Sequence, residues 1–388
     1  MIKICVITGT RAEYGLLKQL MDKVKNDNDT LLQLIVTGTH LSQEFGYTYD
    51  EIQADGFTAD ETVEIIVSSN SGVGTSKSMG LALISLAETF KRLNPDILVI
   101  LGDRFEMLSA AVAALNCHIP IAHIHGGETT QGALDEAYRH AISKMSYLHF
   151  TSTEIYRKRV IQLGEEPERV FNVGALAMDA IANLQYLNKE ELELMLGIEF
   201  GGKSALFTYH PVTMEKDEME LQINNILDAL NEIPELFIIF TKSNADMGGQ
   251  YLNHMLEEYV IKNKARSAIF SSLGQQRYMS CMKYCDVIIG NSSSGIIEAP
   301  SLKIPTVNIG DRQKGRVKAL SVIDCPPYKD AIVRALKRAL SVEFKNNTQI
   351  VENPYGSDGV TDKIISVIKE NINKKKIVRK KKFYDINF

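Results

Sequence analysis

The stretch IKICVITGTRAEYGLLKQLMDKVK, residues 2–25, decides the fold. Ile2–Thr8 is an apolar run that stops at Gly9, where a tight turn is permitted. From Tyr14 to Lys25 the apolar residues recur at helical spacing. A short apolar strand feeding an amphipathic helix is the start of a βαβ unit, and the same alternation continues outward. Leu31–Thr37, Ile97–Leu101, Ile121–Ile124 and Leu148–Thr151 are predicted strands, and Ser76–Arg92 and Phe105–Leu115 are predicted helices. Continuous apolar strands joined by helical crossovers predict a parallel sheet covered on both faces.

The pattern then restarts. Ala205–Tyr209, Leu236–Phe240, Ala268–Phe270, Val287–Gly290 and Thr306–Ile309 read as strands; Glu215–Glu232, Gly249–Lys262 and Asp330–Ser341 read as helices. The expected fold class is therefore α/β, with two doubly wound, Rossmann-like halves joined near Gly174–Leu187. A length of 388 residues agrees, since it exceeds one comfortable core.

Composition narrows the function. The chain is 45% hydrophobic and 23% charged with a formal net charge of −5, which argues against bulk nucleic-acid binding. The five scattered cysteines (Cys5, Cys117, Cys281, Cys285, Cys325) form neither a disulfide framework nor a paired zinc motif, so a reducing, cytoplasmic setting is expected. Cys5 and Cys117 read as small core residues. Met1–Ile7 is too short an apolar run for a signal peptide, and no run reaches membrane-spanning length, so no membrane partner is expected. The basic runs Lys374–Lys376 and Arg379–Lys382 read as a solvated tail.

In open parallel sheets ligands bind beyond the carboxyl ends of the strands, so the residues that follow each strand carry the functional reading. Gly9-Thr10-Arg11-Ala12-Glu13-Tyr14-Gly15 follows the first strand; its helix start offers amides to an anion, and Arg11 suits a diphosphate. It lacks the dinucleotide glycine spacing, which disfavours NAD. Thr37-Gly38-Thr39-His40 ends the second strand as a turn, and Gly102-Asp103-Arg104-Phe105-Glu106 sets an acid beside a base. Asp103 reads either as a helix cap or as a proton-transfer group. His123-Ile124-His125-Gly126-Gly127-Glu128 is denser, and strand alternation is expected to put His123 and His125 on one face. The remaining ligands of a metal site are missing, so proton transfer is the expected chemistry and neither metal nor cofactor is expected. Asp135-Glu136-Ala137-Tyr138-Arg139-His140 opens a helix, with Asp135, Arg139 and Glu136 toward its inner side.

In the second half Tyr209-His210-Pro211 ends a strand and Asn244 follows another. Gly290-Asn291-Ser292-Ser293-Ser294-Gly295 lies between a strand and a helix, where serine hydroxyls and helix-start amides make a phosphate cradle; the alternative is a polar helix cap. Glu298 falls in the first turns of that helix, suited to accept hydrogen bonds from ribose hydroxyls. Gly310-Asp311-Arg312-Gln313-Lys314-Gly315-Arg316 adds positive charge. Acids and histidines in the first half and a nucleotide cradle in the second predict a sugar nucleotide in the cleft between them.

These motifs, T-G-T-R-A-E-Y-G at Thr8–Gly15, G-D-R-F-E-M at Gly102–Met107, H-I-H-G-G-E at His123–Glu128, D-E-A-Y-R-H-A-I at Asp135–Ile142, Y-H-P at Tyr209–Pro211, G-N-S-S-S-G at Gly290–Gly295 and G-D-R-Q-K-G-R at Gly310–Arg316, run along nearly the whole chain. Together they resemble the hydrolysing UDP-N-acetylglucosamine 2-epimerases of bacterial sialic-acid synthesis. The resemblance implies two Rossmann-like domains facing a cleft, in a GT-B-like glycosyltransferase architecture. Residues 1–174 with about 365–388 would form the sugar and catalytic side, and 175–364 the nucleotide-binding domain. It implies that Arg11, Arg104, His210, Asn244, Ser292, Ser293, Glu298 and Arg312 contact UDP and that Leu273 and Tyr278 flank the uracil. Ala12, His40 and Arg139 complete the expected substrate contacts. Asp103 and Asp135 match catalytic carboxylates. Many members of the wider family carry glutamate where this chain has His125, and the nearest glutamate here is Glu128; these four are the expected proton-transfer groups.

The implied reaction converts UDP-N-acetylglucosamine and water to N-acetylmannosamine and UDP. UDP leaves carbon 1 as a proton leaves carbon 2; water and a proton then add to the resulting glycal, which requires acid–base groups on both faces of the ring. A homo-oligomer, dimer or tetramer, is expected. The alternatives are the same reaction on a diacetamido-trideoxy sugar nucleotide of legionaminic-acid synthesis, a non-hydrolysing epimerase, and a UDP-sugar sensor.

Overall fold

The computed structural model describes residues 1–67, 71–129, 134–211, 216–243, 247–374, 377 and 381–386. By its contacts the chain divides into two units, Met1–Ala180 with Tyr355–Phe388, and Ile181–Pro354. Residues 174–180, the first part of the expected joint, belong to the first unit, where they bond to the returning chain. The Ala175 amide donates to the Tyr355 carbonyl (2.9 Å). Buried Asp179 accepts from the amides of Val360 and Thr361 (3.0 and 2.6 Å), which fixes the start of helix Val360–Asn373.

The first unit is built on seven parallel strands: β1 (Ile2–Thr8), β2 (Thr30–Thr37), β3 (Glu61–Val63), β4 (Ile97–Leu101), β5 (Ile121–Ile124), β6 (Leu148–Thr151) and β7 (Val170–Asn172). Their spatial order is β3-β2-β1-β4-β5-β6-β7. Ile4–Ile7 of β1 and Ile97–Ile100 of β4 are wholly buried, as strands covered on both faces require, and each such side chain contributes about 1.5–3 kcal/mol on burial. The second unit has six parallel strands: β8 (Lys203–Thr208), β9 (Leu236–Thr241), β10 (Ser267–Phe270), β11 (Val287–Gly290), β12 (Thr306–Ile309) and β13 (Val322–Cys325). They run β10-β9-β8-β11-β12-β13.

The two sheets share one logic. The chain winds outward from β1 to β3, then returns to β4 on the other side of β1; the second unit repeats this about β8 and β11. Where winding reverses, the loops leaving neighbouring strands turn apart and open a crevice at the carboxyl ends. The motif loops after β1 and β4, and after β8 and β11, stand at these positions.

Strands β3, β7 and β13 lie outside the sequence expectation. Each is an edge strand of three or four residues, too short to display a period. The solvated-tail reading needs correction at one residue, since Lys374 and Lys382 are exposed and Lys381 is not. Lys381 is half-buried and bonded to three groups of the first unit, while Lys375, Lys376, Arg379 and Lys380 lie outside the described residues.

Candidate active site

In the first unit, Thr10 caps helix Arg11–Asn26 by accepting from the Glu13 amide (3.3 Å). Glu13 reaches back to the amides of Gly9 (2.8 Å) and Thr10 (3.2 Å), closing a capping box. These two amides are therefore taken from within, not offered to an anion; the capping leaves those of Arg11 and Ala12 outside it. Burial, opposed by the Gly9 bond and reinforced by the Glu106 charge, pushes the Glu13 carboxyl up to about 7. Arg11 and Ala12 are exposed, and Arg11 Nε meets Glu51 at 2.9 Å. His40 is fully buried with its ring nitrogens against Thr8 Oγ1 (3.0 Å) and Thr48 Oγ1 (2.7 Å), and burial pushes it down to about 4. It supports the loop after β1 from behind.

After β4, Arg104 bonds wholly buried Glu106 through Nε (3.2 Å) and Nη2 (2.9 Å). Asp103 pairs with buried Arg139 from helix Leu134–Met145. Asp135 opens that helix; partial desolvation raises its carboxyl, the Asp103 charge adds to this, and Arg104 and Arg139 oppose it. The two aspartates thus share one electrostatic environment centred on two arginines.

The expectation for His123 and His125 fails on geometry. Strand β5 stops at Ile124, and His125 takes a left-handed φ of 66°, so alternation does not reach it. His123 is buried, with Nε2 against the Gly102 carbonyl (2.7 Å) and Nδ1 against Ser143 Oγ (3.1 Å), and burial pushes it down to about 3. It is a neutral brace for the loop that carries Asp103. His125 instead approaches Glu128, with Nδ1 3.8 Å from Oε1, and its Nε2 accepts from the Leu176 amide (3.4 Å). Buried Glu128 accepts from Ser152 Oγ (2.8 Å).

In the second unit, buried Asn291 clasps the backbone of His210. Its Oδ1 accepts from the His210 amide and its Nδ2 donates to the His210 carbonyl, both at 2.7 Å. The His210 ring meets Ser243 Oγ at 3.1 Å. Gly290 has a φ of 130°, and a Cβ there would overlap the Thr208 carbonyl, so only glycine lets β11 turn into the serine loop. A chain of hydroxyls follows: Ser292 to Ser294 (3.0 Å), Ser294 to Tyr278 (2.6 Å), Tyr278 to Thr208 (3.3 Å) and Thr208 to Thr241 (2.7 Å). The helix here is only Ser294–Ile297, and Ser293 at its cap makes no side-chain capping bond.

Glu298 ends that short helix. Its Oε2 is buried with no hydrogen-bond partner among the described residues, and burial pushes the carboxyl up to about 7. Arg312 Nη1 and Gln313 Nε2 both donate to the Asn291 carbonyl (3.0 and 2.8 Å). Leu273 is buried just before helix Gly274–Tyr284, which carries Tyr278. Asn244 lies outside the described residues.

The chain matches the UDP-N-acetylglucosamine 2-epimerase family over residues 22–369. It is 44% identical to the GDP/UDP-N,N'-diacetylbacillosamine 2-epimerase (hydrolyzing) of Campylobacter jejuni, across 97% of this chain and 98% of that one. The chain belongs to the hydrolysing UDP-N-acetylglucosamine 2-epimerase family. Another relative, the polysialic acid biosynthesis protein P7 of Escherichia coli, is 40% identical over 100% of this chain and 98% of its own. Among solved structures, the UDP-GlcNAc 2-epimerase of Neisseria meningitidis bound to UDP-GlcNAc superposes with a TM-score of 0.83 at 19% identity, covering 95% of this chain and 100% of that chain. This likeness shows that the 2-epimerase fold, two parallel-sheet α/β domains, is present here. Two buried carboxylates of this family member, Glu13 and Glu106, are missing from the sequence-derived site. The pattern Thr10-x-x-Glu13, a capping-box signature, was the available signal for the first.

Proposed function

We propose that this chain hydrolyses a UDP-activated 2-acetamido sugar with inversion at carbon 2. The observation that carries the reading is the constellation at the end of β4: Asp103 tied to Arg139, with Asp135 raised beside it. A carboxylate paired with a guanidinium and a second one raised by burial stand in unlike surroundings and can divide acid and base duties. Asp103, held by a guanidinium, takes the role of proton acceptor, and Asp135 that of donor. The C1–O bond breaks with its electron pair leaving on UDP, and the C2 proton passes to the base as the C1–C2 double bond forms. Water then adds at carbon 1 while a proton reaches carbon 2 from the opposite face. Arg11, Arg104 and Arg312 stabilise the departing diphosphate. Ser292 and Ser293 hold phosphate, and Glu298 receives the ribose hydroxyls.

The sugar is read first as N,N'-diacetylbacillosamine, because the 44% relative bears that substrate in its name. UDP-N-acetylglucosamine is the second reading, because the family model that the chain matches bears that substrate in its name. We infer a reducing, cytoplasmic setting from the five free cysteines. Proton NMR of the protein with each sugar nucleotide tests the reading. Free 2-epimer plus UDP from one of them supports it; no product from either rejects it.

A further inference from the structure

Helix Leu134–Met145 carries Asp135 in its first turn and Arg139 in its second, so whatever fixes this helix fixes the pair made with Asp103. Its far end is held by a lysine from much later in the chain. Lys381 Nζ donates to the carbonyls of Lys144 (2.9 Å) and Ser146 (2.6 Å). Carbonyls at the close of a helix lack partners within it, and a cation there also meets the negative end of its dipole.

The same ammonium reaches Glu165 Oε2 at 2.5 Å. Glu165 is wholly buried; it also accepts from Lys144 (2.9 Å) and His149 (3.0 Å). Burial alone would raise this carboxyl, but the bonds from His149, Lys381 and Lys144 outweigh it and hold it down at about 2. His149 on β6 stands opposite His123 on β5, whose ring braces Gly102 and Ser143. Gly102 precedes Asp103, and Ser143 belongs to the Asp135 helix. His123, the neighbour of this cluster in the sheet, therefore touches both elements that present the aspartates.

The segment around Lys381 is seated by further contacts. The Tyr384 amide donates to the Gly164 carbonyl (3.0 Å), and Lys144 Nζ lies 4.6 Å from the centre of the Phe383 ring. Gly164 has a φ of 85°, and a Cβ there would overlap that ring, so the segment docks where a side chain is missing.

We propose that segment Lys381–Ile386 is a positioning clamp for helix Leu134–Met145, with Lys381 as a positioning residue for the 2-epimerase reaction; the inference rests on Asp103 and Asp135 being the proton-transfer pair. The clamp acts on geometry, so it governs turnover more than nucleotide affinity.

The test compares Lys381→Met, Lys381→Arg and a chain ending at Lys380 with the parent, using amide hydrogen exchange, UDP calorimetry and steady-state kinetics. Near-UV circular dichroism confirms that each variant is folded. Loss of the cation should speed exchange across residues 136–145 by about tenfold and lower kcat by about tenfold, with KM and UDP affinity changed less than about twofold. Lys381→Arg should recover most of both. Unchanged exchange in both Lys381→Met and the shortened chain would overturn the clamp, whatever the substrate. Faster exchange with parental kcat would overturn the positioning role. Parent turnover, measured first, tests the functional reading separately.

Discussion

Replacing Glu298 by glutamine should weaken UDP binding and strengthen the fold at the same time. Glu298 Oε2 is buried without a partner among the described residues, and burial pushes the carboxyl from 4.5 up to about 7. To accept two ribose hydroxyls it must be ionised. With a pKa of about 7 it is roughly 90% ionised at pH 8 and roughly 10% at pH 6, so its contribution to affinity should fall about tenfold between them. Charge-assisted hydrogen bonds are worth about 1.5–3 kcal/mol, so Glu298→Gln should raise the Kd for UDP by roughly tenfold or more at pH 8. The diphosphate titrates too, and the ratio of parent to variant affinity cancels that effect. Stability has the opposite sign. Because the folded-state pKa lies above the unfolded value, the folded protein binds more protons between pH 4.5 and 7, and stability declines as pH rises through that window, by about 3 kcal/mol in all. Glutamine carries no charge to bury, so the variant should melt higher than the parent at pH 8 and match it near pH 4. Calorimetry and thermal melts at pH 4, 6 and 8 decide the matter. A parent-to-variant affinity ratio that stays constant from pH 6 to 8, or a variant that melts lower at pH 8, refutes the reasoning.

Asp103→Asn and Asp135→Asn should each keep UDP affinity within about twofold while losing at least about a hundredfold in kcat; parental turnover in both would move the chemistry to His125 and Glu128. Arg312→Ala should raise the Kd for UDP about tenfold, read by calorimetry, and a change below twofold would remove Arg312 from the diphosphate site. Gly290→Ala should destabilise the protein by more than about 3 kcal/mol, since it combines a strained φ with overlap on Thr208; a denaturant midpoint equal to the parent's would show that β11 can yield there.

The sequence is most legible where burial writes a continuous signal. Ile97–Leu101 and Val287–Gly290 are strands at the residues expected, because apolar side chains on both faces leave no room for another reading. The edge strands Glu61–Val63, Val170–Asn172 and Val322–Cys325 carry no such run and were invisible. Among candidate site residues, position along the chain was readable and orientation was not. His125 follows a strand, but its left-handed backbone breaks the alternation that spacing suggests. Arg104 and Glu106 are two residues apart, yet nothing in that spacing foretells that the arginine folds back onto a buried carboxylate. Lys381 sat in a basic run that reads as solvent-exposed; its partners, Glu165 and the carbonyls of Lys144 and Ser146, come from distant segments that only tertiary folding brings to it. The sugar is the least legible element. The family resemblance implies UDP-N-acetylglucosamine, whereas the 44% relative carries the diacetamido substrate in its name. Motifs that hold UDP and move protons do not encode which substituents the sugar bears.

The central claim, hydrolysis with inversion through loss and return of the C2 proton, is tested most directly by running the reaction in heavy water and examining the products by NMR. Free UDP and a free 2-epimeric sugar carrying deuterium at carbon 2 are expected, because the returning proton comes from solvent. An intact UDP-linked epimer, or a released sugar that keeps its original hydrogen at carbon 2, would contradict it.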